Sequence, residues 1–242
     1  MKIKGIWLKI KLRYLPRFCR QEDYRVYLQG KGVTVGEGTT FFDWKSNFID
    51  TERAWMLSIG SYCKITRGVI ILNHDYSRSV LRRVYGEVVG EAKDTSIGDN
   101  VFLGMNTIVL MGSHIGSNVI VGAGSVVTGD IPDNVVAAGS PAKVVCTLEE
   151  YWKKRKANYS EDARACARAY YNKYNKAPSI KEMNAFFPLY LKRNIEMLVK
   201  SGVKTNLSGD VESEIIEEFM KSQPIYSSYE AFLSAALEDE NE

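Results

Sequence analysis

The sequence predicts a mainly β fold of stacked, parallel coils, followed by an α-helical region at the C-terminal end. Three observations support this prediction. An aliphatic residue recurs every six positions through the middle of the chain. Of the 19 glycines, only Gly202 and Gly209 come after residue 149. Residues 149–242 contain 14 Lys+Arg and 16 Asp+Glu together with many Ala and Leu residues, a composition that favours helix.

The six-residue period is unbroken from residue 97 onwards. Its aliphatic positions are Ile97, Leu103, Val109, Ile115, Val121 and Val127, and small residues follow four of them, at Gly98, Gly104, Gly116 and Gly122. One inward aliphatic side chain per six residues predicts short strands that alternate with tight, glycine-containing turns. Stacked coils of such strands satisfy each other's backbone hydrogen bonds and bury a continuous aliphatic column.

The same period appears earlier in the chain, at Ile59, Ile65 and Ile71 and again at Val35 and Phe41. The spacing from 35 to 59 is a multiple of six, whereas the spacing from 71 to 97 is not. Residues 73–95 are therefore predicted to leave the repeat as a protruding loop. We expect a β-helical domain at 31–148, preceded by an N-terminal cap at 1–30.

The two ends of the chain are predicted to be helical. Residues 1–20 hold seven basic residues and no acid, and their apolar residues fall at helical spacing. This amphipathic helix is expected to cap the next domain, and contact with an anionic membrane surface is the alternative. The C-terminal extension, 149–242, is predicted to form helices at 148–157, 160–175, 179–198, 210–221 and 227–237. A kink at Pro188 is the alternative to a straight helix over 179–198.

Composition excludes several classes of function. The net charge of +3 is too small to predict a nucleic-acid partner, and no apolar run approaches the length of a membrane span. The widely spaced cysteines, Cys19, Cys63, Cys146 and Cys166, fit reduced thiols and a cytoplasmic location. The two histidines, His74 and His114, cannot form a three-histidine zinc site, so no metal is expected.

Two motifs resemble those of hexapeptide-repeat acyltransferases. VGAGSVVTGDIPDNVVAAGSPAKVV, at 121–145, resembles the end of the β-helix in galactoside and maltose O-acetyltransferases. ILNHDYS, at 71–77, resembles their segment with the catalytic histidine. The resemblance covers roughly residues 30–148 and extends to acyltransferases of capsule and surface-polysaccharide synthesis. It implies a left-handed β-helix, a homotrimer with active sites between neighbours, and direct acyl transfer from acetyl-CoA to a hydroxyl or amine.

His74 is the predicted general base. An alcohol must lose its proton as it attacks a thioester, and a histidine with a pKa near 6.5 is suited to accept it. A carboxylate that orients His74 is expected elsewhere than at the adjacent Asp75, and a backbone carbonyl is the alternative. His114 is predicted to face outward from its turn, and Cys63 to be a small core residue rather than a nucleophile.

The resemblance also implies a donor groove lined by small residues at the coil corners and by the segment after the last repeat. These candidates are Gly104, Met105, Gly122, Ala123, Gly124, Thr128, Gly129, Pro141, Ala142 and Lys143. Backbone groups at the corners are expected to pair with the pantetheine amides. Lys143 is expected to bind a phosphate, whereas Gly129 replaces a lysine that many relatives carry.

The acceptor site is predicted less directly. Its candidates are Asn47, Asp50, Asp75 and Tyr85. Asn47 and Asp50 lie in a segment that resembles the sugar-contacting segment of the galactoside enzyme, and the repeat is irregular there. Arg53, Tyr76, Arg82 and Arg83 lie nearby in the sequence or in the loop.

The sequence leaves three functions to compare. The favoured one is acetyl transfer from acetyl-CoA to a hydroxyl of a sugar or oligosaccharide in polysaccharide synthesis. N-acetylation of an amino-sugar nucleotide would use the same base and donor. The third is a non-catalytic β-helical scaffold whose helical extension binds a partner.

Overall fold

The computed structural model describes residues 21–205 and 210–238 of the 242-residue chain. The predicted amphipathic segment 1–20 lies outside these residues. The chain divides into two compact units, Met1–Tyr151 and Trp152–Glu242. The division falls close to the boundary predicted after residue 148.

The first unit is built from very short parallel strands that form three sheets. Sheet A contains β1 (Thr34–Val35), β4 (Leu57–Ile59), β7 (Thr95–Ile97) and β10 (His114–Ile115). Sheet B contains β2 (Thr40–Phe41), β5 (Lys64–Ile65), β8 (Phe102–Leu103), β11 (Ile120–Val121), β13 (Val135–Gly139) and β14 (Ala142–Thr147). Sheet C contains β3 (Phe48–Ile49), β6 (Ile70–Ile71), β9 (Ile108–Val109) and β12 (Val126–Val127). Strands pair in parallel between successive coils, except for the antiparallel pair β13–β14.

The repeat positions form the core, as the period predicts. Phe41, Ile65, Leu103 and Val121, which succeed one another in sheet B, are all 0% exposed. Cys63 is also fully buried, which confirms its prediction as a core residue. Most of the short strands of the coils bury the repeat residue and leave the preceding residue partly or fully exposed, as in β5, β8 and β10. Strand β2 differs, because Thr40 is also buried.

The first coil is longer than the repeat predicts. Val35 pairs with Ile59, but two short 3₁₀ segments, Trp44–Ser46 and Ala54–Met56, interrupt the coil between them. The intervening inward residue of β3 is Ile49, which lies outside a six-residue register with Phe41. The spacing from 35 to 59 is a multiple of six, but it therefore does not reflect an unbroken six-residue repeat.

The turns between sheet A and sheet B require residues that tolerate close approach and a left-handed backbone. A Cβ at Gly98 would lie 2.7 Å from the carbonyl carbon of Gly116 in the next coil. Asn100 and Asn118 have φ values of 55° and 58°, and Asn100 Nδ2 donates to Asn118 Oδ1 at 2.9 Å. These contacts hold successive corners in register.

Two helices belong to the first unit. Helix α1 (Gln21–Lys31) packs Tyr24 and Leu28 into the same core as the coils. Helix α2 (Arg78–Tyr85) lies in the segment that leaves the repeat between β6 and β7. Residues 79–91 of that segment are exposed throughout, and they include Val84 and Tyr85.

The second unit is helical and has its own core around Tyr190 and Phe232. Its helices are α3 (Leu148–Tyr174), which begins in the first unit, α4 (Ile195–Ser201), α5 (Glu212–Lys221) and α6 (Tyr229–Leu237). The two helices predicted at 148–157 and 160–175 are one continuous helix. The helix predicted at 179–198 is wrong, because a 3₁₀ segment with Pro188, Asn184–Leu189, precedes the separate helix α4.

Candidate active site

Parallel pairing brings two polar segments to the same edge of sheet C. Strands β3 and β6 pair with Ile49 opposite Ile71. Asp50 directly follows β3, and the chain leaving β6 reaches His74 after three residues. Because parallel strands end at the same edge, the two side chains meet at this corner, which we call the exit edge of sheet C.

His74 is held by a buried carboxylate. Its Nδ1 atom makes a short contact with Oδ2 of Asp50, and the two side chains are 9% and 4% exposed. Oδ2 also accepts a hydrogen bond of 3.2 Å from the Asn73 backbone N–H. Oδ1 accepts one of 3.0 Å from the Glu52 backbone N–H. Asp50 is thereby fixed as the hydrogen-bond acceptor for Nδ1, which leaves Nε2 as the basic nitrogen of the neutral imidazole.

The other imidazole nitrogen, Nε2, lies beside the Glu52 carboxylate. Nε2 is buried and has no hydrogen-bond partner among the described residues. Oε2 of Glu52 lies 2.6 Å from Nε2, but outside hydrogen-bond alignment. The same carboxylate oxygen accepts a 2.7 Å hydrogen bond from the hydroxyl of Tyr76. The Tyr76 ring packs edge-on against the imidazole, with ring centroids 5.0 Å apart.

The electrostatics of this corner favour an ionised Glu52. The hydrogen bond from Tyr76 lowers the pKa of the Glu52 carboxyl below its ordinary value, although desolvation opposes this shift. The Arg53 charge acts in the same direction as Tyr76, and so does His74 when its imidazole is protonated. The same hydrogen bond raises the pKa of the Tyr76 hydroxyl. Arg53 Nη1 is a second buried nitrogen without a hydrogen-bond partner in the part of the chain that the structure covers.

The structure separates the roles of the two aspartates predicted near His74. Asp50, predicted to contact the acceptor, lies buried beneath the imidazole and orients it. Asp75 instead accepts hydrogen bonds from the backbone N–H and the hydroxyl of Ser77, at 3.0 Å and 2.9 Å. The carboxylate that orients His74 thus comes from elsewhere in the chain, as expected, whereas Asp75 stabilises the start of the exposed segment.

Two other acceptor candidates lie apart from His74. Asn47 precedes β3 and so lies at the opposite edge of sheet C from Asp50. Its Oδ1 accepts from the Val69 backbone N–H at 3.1 Å, which ties two coils together. This position does not support the predicted sugar contact of Asn47. Tyr85 ends helix α2 and is 73% exposed.

His114 and Cys63 behave as the sequence predicts. His114 is the outward residue of β10, its side chain is 50% exposed, and its Nδ1 lies 2.8 Å from Oδ1 of Asp130. Cys63 is buried, and burial raises the pKa of its thiol. Since the thiolate is the nucleophilic form, burial makes an acyl-cysteine intermediate unfavourable.

The donor candidates of the coils lie on the two edges of sheet C. Gly104, Met105 and 122–124 lie in the turns that enter sheet C, and Thr128 and Gly129 follow β12 at the exit edge. The Met105 side chain is 57% exposed, and Ala123, Gly124 and Thr128 are also exposed. Pro141 and Lys143 are exposed in the β13–β14 hairpin, whereas Ala142 is 7% exposed. The burial of Ala142 does not support its predicted place in the lining of the donor groove.

The glycines among these candidates have different physical roles. A Cβ at Gly104 would lie 2.4 Å from the Ala123 backbone nitrogen, so the stacking of coils requires glycine there. A Cβ at Gly129 would have no atom within 4 Å. The backbone N–H groups of Gly104, Gly122 and Gly124 already donate to neighbouring coils. These three N–H groups are therefore satisfied within the coils, and the expected pairing of corner backbone groups with pantetheine would use other amides or the carbonyls.

Sequence reasoning missed Glu52 and Asn73 as parts of the site. Glu52 lies in the irregular stretch after β3, where the repeat gives no register. Asn73 is 0% exposed, and its Nδ2 donates to the Arg53 carbonyl at 2.9 Å. The one sequence signal for Asn73 was its position directly before the predicted base, because its burial is visible only in the structure.

Two further properties of the described residues concern metal binding and membrane crossing. Within 21–205 and 210–238, no three His, Cys, Asp or Glu side chains are grouped so that they could hold a metal ion. Over the same ranges, no helix combines the length and apolar character that a membrane crossing requires. The cysteines within these ranges, Cys63, Cys146 and Cys166, are free thiols.

Comparison with known proteins agrees with this geometry. Residues 94–129 match the family described as bacterial transferase hexapeptide (six repeats). The protein CapG of Staphylococcus aureus is 40% identical over 161 residues, which cover 63% of this chain and 90% of CapG. The chain belongs to the hexapeptide-repeat family. The resemblance predicted from the two motifs is confirmed, and membership implies that the parallel coils follow a left-handed course.

Other members of the hexapeptide family match shorter parts of the chain. Galactoside O-acetyltransferase of Lactococcus lactis is 51% identical over 69 residues, which span 28% of this chain and 29% of that enzyme. The crystal structure of a maltose O-acetyltransferase from Clostridium difficile is 32% identical, with a TM-score of 0.40. It covers 49% of this chain and 60% of that chain. Both names describe acetyl transfer.

Proposed function

We propose that this protein transfers an acetyl group from acetyl-CoA to a sugar hydroxyl, with His74 as the general base. The observation that carries this proposal is the buried pair of Asp50 and His74, in which Nδ1 is committed to the carboxylate and Nε2 has no hydrogen-bond partner among the described residues. An imidazole held in this way has one defined basic atom, as general-base catalysis requires.

The reaction proceeds by direct attack. The acceptor oxygen forms a bond to the thioester carbonyl carbon while its proton passes to Nε2 of His74. Asp50 stabilises the imidazolium that results, because its carboxylate is buried with the imidazole and accepts from Nδ1. Collapse of the tetrahedral intermediate breaks the carbon–sulfur bond, and the imidazolium returns the proton to the leaving thiolate. No covalent enzyme intermediate is needed.

The donor is proposed to lie along the edges of sheet C. The similarity to galactoside O-acetyltransferase supports an acetyl donor, and acetyl-CoA is the donor that we propose. Two features of this chain fit a ligand here. Met105 and Thr128 are exposed on the entry and exit edges, and the space beside Gly129 is open. Lys143 is exposed in the terminal hairpin, where it would bind a phosphate.

The assembly is proposed to be a homotrimer that uses the outer face of sheet C. The outward residues of its strands are Phe48, Ile70, Ile108 and Val126, so this face is apolar along its length. Phe48 is 57% exposed in the single chain. By contrast, the outward residues of sheet A are Thr34, Ser58, Ser96 and His114, all polar. Ile70, Ile108 and Val126 are half-buried, and a partly exposed apolar face of this kind is what a neighbouring subunit would cover.

An acceptor screen tests the proposal. Purified protein is incubated with acetyl-CoA and a panel of monosaccharides, oligosaccharides, nucleotide sugars and their amino-sugar counterparts. Free CoA is measured as thiol release, and mass spectrometry of the acceptor detects a gain of one acetyl group. Acetylation at a sugar oxygen supports the proposal. Acetylation only at an amine would assign N-acetyl transfer instead, and the absence of turnover together with no binding of acetyl-CoA by calorimetry would favour a scaffold.

A further inference from the structure

The carboxylate of Glu52 lies where an acceptor hydroxyl has to approach. A general base must be within hydrogen-bond reach of the proton that it removes. The space next to Nε2 of His74 is partly filled by Oε2 of Glu52, 2.6 Å away. An acceptor oxygen that takes its place at Nε2 therefore has to displace this carboxylate.

The contact that must be broken is an ion pair only when the imidazole of His74 is protonated. Glu52 Oε2 is not aligned for a hydrogen bond to Nε2, which has no such partner in the described chain. A hydroxyl that donates in line to Nε2 would satisfy that buried nitrogen better than Glu52 does. The Glu52 side chain is 49% exposed, so solvent leaves it room to rotate away.

Glu52 cannot move far from the site, however. Its backbone N–H donates to Oδ1 of Asp50 at 3.0 Å, and Asp50 is the residue that orients His74. Its carboxylate is held at the site by the hydroxyl of Tyr76, whose ring contacts the imidazole edge-on. A rotation of the side chain thus keeps an ionised carboxylate beside the reacting hydroxyl.

We propose that Glu52 is an acceptor-binding residue that recognises a hydroxyl adjacent to the one being acetylated. Displaced from Nε2, the carboxylate accepts a hydrogen bond from that second hydroxyl while Nε2 accepts from the first. The substrate class is therefore a sugar with a vicinal diol at the reacting position, rather than one with an isolated hydroxyl. This inference rests on the proposed function and makes the acceptor more specific.

Glu52→Gln and Glu52→Ala test this inference, with methyl α-D-galactopyranoside and its four monodeoxy analogues as probes. The chain offers a matched control, because Glu37 accepts a 3.2 Å hydrogen bond from the hydroxyl of Tyr62 in another exposed Glu–Tyr pair. Thiol release gives kcat and KM for each acceptor and for acetyl-CoA. Unfolding curves identify any variant that fails to fold, and the isosteric Gln variant keeps the side-chain volume.

The expected result is selective. Glu52→Gln lowers kcat/KM for the galactoside by about 10- to 100-fold, the effect of losing a hydrogen bond to a charged group. It leaves KM for acetyl-CoA within about twofold, because Glu52 is not among the residues proposed to bind the donor. For the one deoxy analogue that lacks the recognised hydroxyl, wild type and Glu52→Gln have equal kcat/KM. Glu37→Gln matches wild type with every probe.

Other results overturn the inference. An equal loss with every analogue, or faster turnover in Glu52→Gln, would show that Glu52 does not bind a neighbouring hydroxyl. With the 2-amino-2-deoxy analogue of the galactoside as an added probe, a wild-type preference that Glu52→Gln abolishes would assign the carboxylate to an ammonium group. If wild type turns over the galactoside and Glu52→Gln has the same kcat/KM as wild type, the inference about Glu52 is contradicted while the proposed function stands. Absence of wild-type turnover with every sugar contradicts the proposed function itself, and the inference with it.

Discussion

Asp50 orients His74 although the two residues are separated by 24 positions in the chain. The parallel pairing of β3 with β6 brings them to one edge of sheet C. Each turn of the coil thus returns the chain to the same corner, and residues that are remote in sequence form one site. The proposed role of His74 as general base depends on this pair.

Asp50→Asn is expected to lower kcat by about 10²-fold, because the amide no longer fixes Nδ1 as the protonated nitrogen or stabilises the imidazolium. KM for acetyl-CoA should stay unchanged. The backbone N–H groups of Glu52 and Asn73 also lose a charged acceptor, so stability should fall by about 1–3 kcal/mol. Steady-state kinetics and urea unfolding measure the two effects. Asp43→Asn, at a surface ion pair with Arg67, is the matched control. Equal kcat of Asp50→Asn and Asp43→Asn would contradict the orienting role of Asp50.

Tyr76→Phe should raise the pKa of Glu52 towards its ordinary value, because the hydroxyl of Tyr76 is the main cause of the lowered pKa. A carboxyl with a lowered pKa in the folded state stabilises that state above its unfolded pKa. This contribution is lost as the pH falls through the folded pKa, and the variant should lose it at a higher pH than wild type. The measurement is an NMR titration of ¹³C-labelled Glu side chains, with Tyr62→Phe as control. An unchanged Glu52 titration in Tyr76→Phe would contradict this account of the pair.

Two glycine substitutions should differ in stability. Gly104→Ala forces a Cβ against the Ala123 backbone and should cost about 1–3 kcal/mol. Gly129→Ala places its Cβ in open space and should change stability by less than about 1 kcal/mol. Urea unfolding of the two variants compares them directly. Equal destabilisation would show that close stacking at Gly104 is not what requires glycine there.

The proposed trimer predicts a mass of three chains of 27.3 kDa by light scattering. Ile108→Glu puts a charge on the apolar outer face of sheet C and should shift the protein towards smaller species. Ser58→Glu, on the polar outer face of sheet A, should leave the mass unchanged. A monomeric wild type, or an Ile108→Glu variant of unchanged mass, would contradict the proposed interface.

The repeat was predictable because its signal is periodic and local. The inward positions from Ile97 to Val127 and the base candidate His74 follow from spacing and motif alone. The Asp50–His74 pair did not, since two 3₁₀ segments shift the register of the first coil between Phe41 and Ile59. Without that register, Asp50 could be placed near the acceptor but not beneath the imidazole, and Glu52 could not be placed at all.

The helical unit shows a second limit, which comes from tertiary contacts. Ser160 resembles a helix start, but its hydroxyl bonds to the hydroxyl of Tyr226, and α3 continues through it. Ser179 does pair with Glu182, as a helix start would. The chain beyond it still forms a 3₁₀ segment, because Pro188 cannot donate to a continued helix. Both serines carry a local signal for a helix start. At Ser160 the helix continues and the hydroxyl bonds to Tyr226, which is distant in sequence. Beyond Ser179, Pro188 prevents a continued α-helix.

The most direct test of the central claim is the turnover of His74→Ala with acetyl-CoA and an acceptor found by the screen. Loss of the general base should lower kcat by about 10²- to 10⁴-fold, while the unfolding curve and the binding of acetyl-CoA stay close to wild type. His114→Ala, which removes the outward histidine, is the control and should retain wild-type turnover. A folded His74→Ala variant with near-normal kcat would contradict the assignment of His74 as the base.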